Sequence, residues 1–295
     1  MEEAIRKSDI LIEALPYIKT FYNKVILIKY GGSAITDDAV RRNVLEDIVF
    51  MNYAGMKPVL IHGGGPLISK KMDEIGKKVE FVDGQRVTDE EAIDIVDEVL
   101  WGLNKKLVEE FKSLGVQSYG LSGKDAGLIK AKKIIKEKDI GYVGEITSVD
   151  TTLLTRLIET DVIPVISSLA KGEDGKIYNI NADSAAAKIA VALGAEKIVL
   201  LSNVKGIMRD INNENTLYDS LTTADVEVMI EKGIIVKGMI PKAQACLVAI
   251  RNGVKKAHIV DCRIPHALLL EIFTDKGIGT EITKLNRRTK ASQDL

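Results

Sequence analysis

Two stretches of the chain share one design, an apolar run that opens directly into a glycine-rich turn: residues 25–34 (VILIKYGGSA) and 58–66 (PVLIHGGGP). Apolar runs without polar alternation read as strands buried on both faces, the mark of a parallel sheet with helices above and below. Glycines just past such a strand let backbone N–H groups approach an anion with no Cβ in the way. A helix starting there adds its positive N-terminal end. Two such turns, one preceded by Lys29, suggest a site built for phosphate or carboxylate.

Composition narrows the classes. The formal charge of −1 over 295 residues gives no global field for nucleic acid or an anionic membrane, so anion affinity must be local. Cys246 and Cys262 lack C-x-x-C spacing, which reads as reduced thiols without zinc. No apolar stretch approaches a membrane span and the first residues lack a signal-peptide core. The expectation is a soluble, cytoplasmic protein.

Along the chain, helical patterns alternate with apolar runs, which predicts α/β architecture. Residues 4–22 read as an amphipathic helix ahead of the first strand, with Pro16 kinking it near Leu15. Helices are predicted over 37–53, 66–75, 89–114, 151–159, 183–193, 223–232 and 242–252. Strands are predicted over 116–121, 127–133, 162–167, 197–201 and 257–260, the last taken as the final central strand. Residues 130–138 read as an exposed hairpin, 210–217 as a polar loop, and 171–176 as a turn opening a second lobe.

Several familiar motifs are absent: G-x-x-x-x-G-K-[ST], G-x-S-x-G and G-x-G-x-x-G. Lys29 ends an otherwise apolar run; a lysine snorkelling from a strand end is the plainer alternative, but the glycines that follow favour a site. His62 reads as a hydrogen-bonded scaffold residue rather than a general base. Arg86, on a turn after Gly84, could hold a carboxylate bidentately or be a solvated surface arginine. Asp183 could be a helix cap, or could orient catalytic lysines. Lys242 lies at a helix start after Pro241, where a cation is disfavoured unless it reaches an anion.

Taken together, KYGGSA at Lys29, HGGGP at His62, GQRVTD at Gly84, NINADSAAAKIA at Asn179, LLSNVKGI at Leu200 and GMIPKAQA at Gly238 resemble the amino acid kinase family. The resemblance is to its acetylglutamate-phosphorylating, arginine-sensitive type. It implies an open αβα sandwich with a mostly parallel central sheet and an extra N-terminal helix. By resemblance, residues 24–170 form an amino-acid-substrate lobe and 171–295 an ATP-binding lobe, while residues 1–23 serve oligomerisation and regulation. The implied reaction moves the γ-phosphoryl of ATP, with Mg2+ bound mainly through ATP, onto the side-chain carboxylate of N-acetyl-L-glutamate. The implied catalytic residues are Lys29, Lys242 and Asp183. Gly64, Gly65, Arg86, Asn179 and Asn181 would bind the acceptor. Gly31, Gly32, Ser202, Asn203, Gly206, Gly238 and Met239 would bind nucleotide, and no side chain is assigned to metal. L-arginine would inhibit beside Tyr17, His266 and Glu271, in a homodimer or homohexamer.

Two positions depart from the family pattern: Gln85 stands where an apolar residue is usual, and Asn203 where aspartate is usual. The alternatives weighed are a kinase for a carrier-protein-linked aminoadipate or glutamate and a non-catalytic amino-acid sensor. A dinucleotide oxidoreductase is disfavoured by its missing fingerprint.

Overall fold

Strands with two apolar faces need cover on both, and the computed structural model provides it. It describes residues 1–210, 213–274 and 276–284; the loop expected over 210–217 and the end of the 171–295 stretch lie partly outside these. The chain begins α1 (Glu2–Phe21), β1 (Val25–Tyr30), α2 (Asp38–Tyr53), β2 (Lys57–His62), α3 (Gly65–Glu74), the hairpin β3–β4 (Phe81–Val82, Gln85–Arg86) and α4 (Glu90–Ser113). It continues with β5 (Ser118–Ser122), β6 (Ile129–Lys133), β7 (Gly144–Val149), α5 (Thr152–Glu159), β8 (Ile163–Ser167), β9 (Leu169–Gly172) and β10 (Ile177–Asn179). Last come α6 (Ala182–Ala192), β11 (Lys197–Ser202), β12 (Ser220–Thr222), α7 (Thr223–Glu231), α8 (Ile240–Arg251), β13 (Lys256–Asp261), α9 (Ala267–Ile272) and β14 (Thr280–Thr283).

The central sheet has eight strands in the order β12-β14-β13-β11-β1-β2-β8-β5, and every pair is parallel except β13–β14. Alternate residues of β1 serve opposite layers. Leu27 joins Ala185, Ala186 and Ile189 of α6 and Leu247 of α8 on one face. Ile26 and Ile28 join Val44 and Ile48 of α2, Phe111 of α4 and Leu268 of α9 on the other. Burying each such aliphatic side chain is worth about 1.5–3 kcal/mol, so the run 25–28 can sit only at the centre of the sheet. The chain reaches β2 on one side of β1 and β11 on the other, which opens a crevice at their C-terminal ends.

A second sheet, β10-β9-β6-β7, stands apart from the first. It corrects the hairpin expected over 130–138. The partner of β6 begins only at Gly144, because the intervening segment first sinks Ile140 and Val143 into the interior. Residue 171 lies inside β9. The strand over 256–261 is not the last in the sheet, since β14 pairs antiparallel beyond it. With only four residues, β14 carries no apolar run long enough to announce itself. Helix α1 runs unbroken through Pro16, whose carbonyl accepts the Thr20 hydroxyl at 2.8 Å. Cys246 and Cys262 are buried free thiols. Among the described residues, no helix is long and apolar enough to cross a membrane.

Candidate active site

The crevice is filled by residues from the ends of five elements. Lys29 is the last residue but one of β1; Gly31, just past the strand, sits so near it that a Cβ there would lie 3.1 Å from the Lys29 ammonium. Gly32 has φ +79°, a conformation that side chains rarely adopt, and turns the chain into a short 3-10 segment. This loop is braced from behind. Arg41 donates to the Ile35 carbonyl at 3.1 Å and to Glu110 of α4 through Nε and Nη2. Gly64 and Gly65 open α3 in the second glycine turn, and a Cβ on Gly64 would strike Leu100 at 2.7 Å.

Asp183 lies in the first turn of α6, capped by Asn181, whose side chain accepts from Ser184 N at 3.0 Å. The cap and the carboxylate are thus separate residues. Asp183 takes the ammonium of Lys29 at 2.8 Å on one oxygen and that of Lys242 at 3.0 Å on the other. Burial would raise its carboxyl, but the charges of Lys29 and Lys242 outweigh burial and hold its pKa at about 2. Lys242, near the start of α8, therefore meets an anion as its helix position requires.

Arg86 is almost wholly buried on β4 and has no carboxylate partner among the described residues. Its guanidinium donates to the Gly65 carbonyl at 3.0 Å and the Ser69 hydroxyl at 2.7 Å, and lies 4.8 Å from the centre of the Phe81 ring. Desolvation lowers its pKa, partly offset by Asp73, so a desolvated cation stands ready for an anion. Lys29, Asp183, Arg86, Gly31, Gly32, Gly64, Gly65, Asn179 and Asn181 all line one cavity of about 450 Å³. Asn179 donates to the Thr88 hydroxyl at 3.3 Å. The sequence reading missed Ser69, Phe81 and Ser168, which also line it.

The remaining expected nucleotide residues lie outside this cavity. Ser202 ends β11, and Asn203 follows it, 3.5 Å from the Ser33 hydroxyl of the first glycine loop. Gly206 has φ +150° and packs so closely on Thr280 that a Cβ would overlap it. Gly238 and Met239 form the 3-10 turn that leads into α8.

His62 is fully buried. Its Nε2 accepts from the Asn104 amide at 3.0 Å and its Nδ1 donates to the Gly63 carbonyl at 3.2 Å, so it is a neutral scaffold residue. Burial pushes its pKa down to about 4, from an ordinary 6.5. Between those values the unfolded chain holds the extra proton, so stability must fall as pH drops through this window. The loss amounts to about 3 kcal/mol between pH 6.5 and 4. Urea unfolding of wild type and His62→Gln at pH 7 and pH 4 measures it; equal losses in the two proteins would refute it.

The three expected regulatory residues cluster around α9. Tyr17 of α1 meets Phe273 edge-on, with ring centres 6.2 Å apart. His266, which directly precedes α9, adopts φ +55° and hydrogen-bonds Asp47 at 2.7 Å. Burial pushes Asp47 up to about 6, against the opposing His266 bond. The Glu271 carboxylate pairs with His258 and accepts from Ile278 N at 2.9 Å and Gly279 N at 3.0 Å.

Comparison with known proteins agrees with this geometry. A family model described as "Amino acid kinase family" matches residues 24–261. Acetylglutamate kinase from Thermoanaerobacter pseudethanolicus is 49% identical over 283 residues, covering 96% of this chain and 95% of the relative. Acetylglutamate kinase from Methanocaldococcus jannaschii is 50% identical over 295 residues, covering 96% and 98%. Among solved structures, N-acetylglutamate synthase from Neisseria gonorrhoeae complexed with coenzyme A and N-acetyl-glutamate superposes with TM-score 0.85 at 25% identity. The match covers 95% of this chain and 64% of the synthase. Its complex with coenzyme A and L-arginine gives TM-score 0.78, also at 25% identity, over 92% of this chain and 64% of that one. With the family match running from β1 through β13 and full-length relatives sharing about half its residues, the chain is an enzyme of the amino acid kinase family, in its acetylglutamate kinase branch.

Proposed function

We propose that this enzyme transfers the γ-phosphoryl group of MgATP to the side-chain carboxylate of N-acetyl-L-glutamate, a step of arginine biosynthesis. The observation that carries the reading is one cavity lined by Lys29, Asp183 and Arg86 together. Lys29 shares Asp183 with Lys242, and Arg86 is buried with no carboxylate partner among the described residues. A dicarboxylic acceptor fits these cations. The acceptor carboxylate is ionised at neutral pH, so no general base is needed, in keeping with a neutral, buried His62.

Lys29 and Lys242 neutralise charge on the transferring phosphoryl group, and Asp183 fixes both ammonium groups in place. Gly31, Gly32, Gly64 and Gly65 offer N–H groups to the phosphates and the attacking carboxylate. The new bond joins carboxylate oxygen to γ-phosphorus as the bond to the β-bridging oxygen breaks, and ADP leaves with that electron pair. Arg86, from the 24–170 stretch, and Asn179 and Asn181, from just beyond it, hold the far end of the acceptor. Ser202, Asn203, Gly206, Gly238 and Met239, on the 171–295 side, receive the nucleotide. Both Asp183 oxygens face lysines, so magnesium would be held by polyphosphate oxygens and would supply further charge neutralisation there.

L-arginine inhibition is a second element of the reading, favoured by the Tyr17–Phe273 contact that brings α1 against α9, next to His266 and Glu271. Ile10, Leu11, Ile12 and Leu15 of α1 are exposed, which supports a role for this helix in joining subunits into a dimer or hexamer. ADP release with MgATP and N-acetyl-L-glutamate, with and without L-arginine, tests both elements. Turnover suppressed by arginine is expected. Turnover unaffected by arginine would remove only the feedback element, and no turnover with this acceptor would sink the reading itself.

A further inference from the structure

Helix α4 sets Leu100 and Asn104, one turn apart on the same face, against the second glycine turn. Leu100 lies where a Cβ on Gly64 would be. Asn104 is fully buried, and its Nδ2 donates to the Val165 carbonyl at 2.9 Å, to His62 Nε2 at 3.0 Å and to the Leu121 carbonyl at 3.3 Å. Its Oδ1 faces Gly120 and accepts no hydrogen bond. Turning the amide over would set that oxygen against two carbonyl oxygens, so the amide has one orientation. His62 Nε2 therefore meets a donor and must carry the ring's lone pair. The buried imidazole is neutral at pH 7, so its one proton sits on Nδ1.

That Nδ1 stands 3.2 Å from the Gly63 carbonyl. The Gly63 N–H donates to the Tyr30 carbonyl at 3.0 Å, and the Gly64 carbonyl accepts from Ile68 N at 2.9 Å. The peptide between the two glycines is thus held by the ring on its carbonyl side. In a trans peptide the N–H and C=O point opposite ways, so the Gly64 N–H is aimed away from the buried imidazole. Gly64 lines the cavity that Lys29 and Asp183 line, and its N–H has no partner among the described residues. We propose that Asn104 is a positioning residue, which fixes the His62 tautomer and through it aims the Gly64 N–H at the transferring phosphoryl group. This step rests on the phosphoryl-transfer reading. Without the Asn104 donor, His62 is free to take the other tautomer. Nδ1 then turns a lone pair on the Gly63 carbonyl, two acceptors face each other, and the peptide swings.

The first measurement is made on wild type. The chain has three histidines, and nitrogen-15 spectra at pH 7 show which ring nitrogen of each is protonated, with His62 assigned by its absence from His62→Gln. His62 should be protonated at Nδ1; protonation at Nε2 would overturn the proposal. Asn104→Leu then tests the consequence. Its His62 should become a mixture of tautomers, and kcat should fall roughly tenfold, less than when an oxyanion donor is removed outright. Affinity for ADP, which lacks the transferred group, should hardly change. A role confined to stability would lower the melting temperature and leave tautomer and kcat alone. Unchanged kcat in a folded Asn104→Leu would overturn the role of Asn104 while wild-type turnover of N-acetyl-L-glutamate upheld the kinase reading. Wild type without turnover would overturn both. Melting curves check the fold, and Asn104→Ser repeats the comparison if the leucine variant does not fold.

Discussion

Asp183→Asn should lower kcat by about 10²–10³-fold, because one neutral amide replaces the carboxylate that spaces two lysines. The wild-type carboxylate meets Lys29 at 2.8 Å and Lys242 at 3.0 Å while itself almost fully buried. Without its charge the two ammonium groups repel, and the Lys29 head is left buried beside a neutral partner. Removing one member of a buried ionic set typically costs about 3–5 kcal/mol, so thermal stability should fall as well. ADP release and calorimetry check the two effects. A kcat near wild type would show that the triad does not position the reacting phosphoryl group.

The same carboxyl sets an acid limit. Its folded pKa of about 2 lies below the ordinary 3.8, so its contribution is complete above the unfolded value and lost as pH falls through the folded one. That contribution is about 2 kcal/mol, and it should disappear from the pH–stability difference between wild type and Asp183→Asn below about pH 2.

Arg86→Lys should raise the KM for the acceptor by roughly 10- to 100-fold and hardly change the KM for ATP. A planar guanidinium donates through Nη2 to both Gly65 and Ser69, stacks on Phe81, and still has its Nε–H for an incoming acceptor. An ammonium cannot do all three. The change should appear as KM because the proposed function gives Arg86 the non-reacting part of the acceptor. If kcat fell instead with KM unmoved, Arg86 would belong to the transferring phosphoryl group, and that assignment would be overturned.

How much of this was readable in the residues varies by element. The runs 25–29 and 58–61 announced themselves as central strands because no other environment buries both faces of an apolar strand. The glycine turns followed from local sterics, and Gly31, Gly32, Gly64 and Gly65 do line one cavity. Resemblance supplied the roles of Lys29, Lys242 and Asp183.

The short strands were different. β7, β9, β10, β12 and β14 span three to six residues each, and several of their pairings, as of β12 with β14 and of β9 with β6, are distant in the chain. Propensity is weak at that length and non-local packing overrides it. The same limit applied to single side chains. Asn181 and Asp183 stand two positions apart on one helix start, and either could be its cap; only the fold makes Asn181 the cap and frees Asp183 for the lysines. Arg86 could be a surface arginine until β4 buries it against Met72 and Phe81. What the residues determined by themselves was local: which strands must be central, where the backbone must bend, which helices have one apolar side. What only the tertiary structure decided was which charges meet. Lys29 and Asp183, for instance, stand 154 positions apart (183 − 29), and burial and ion pairing act through space rather than along the chain.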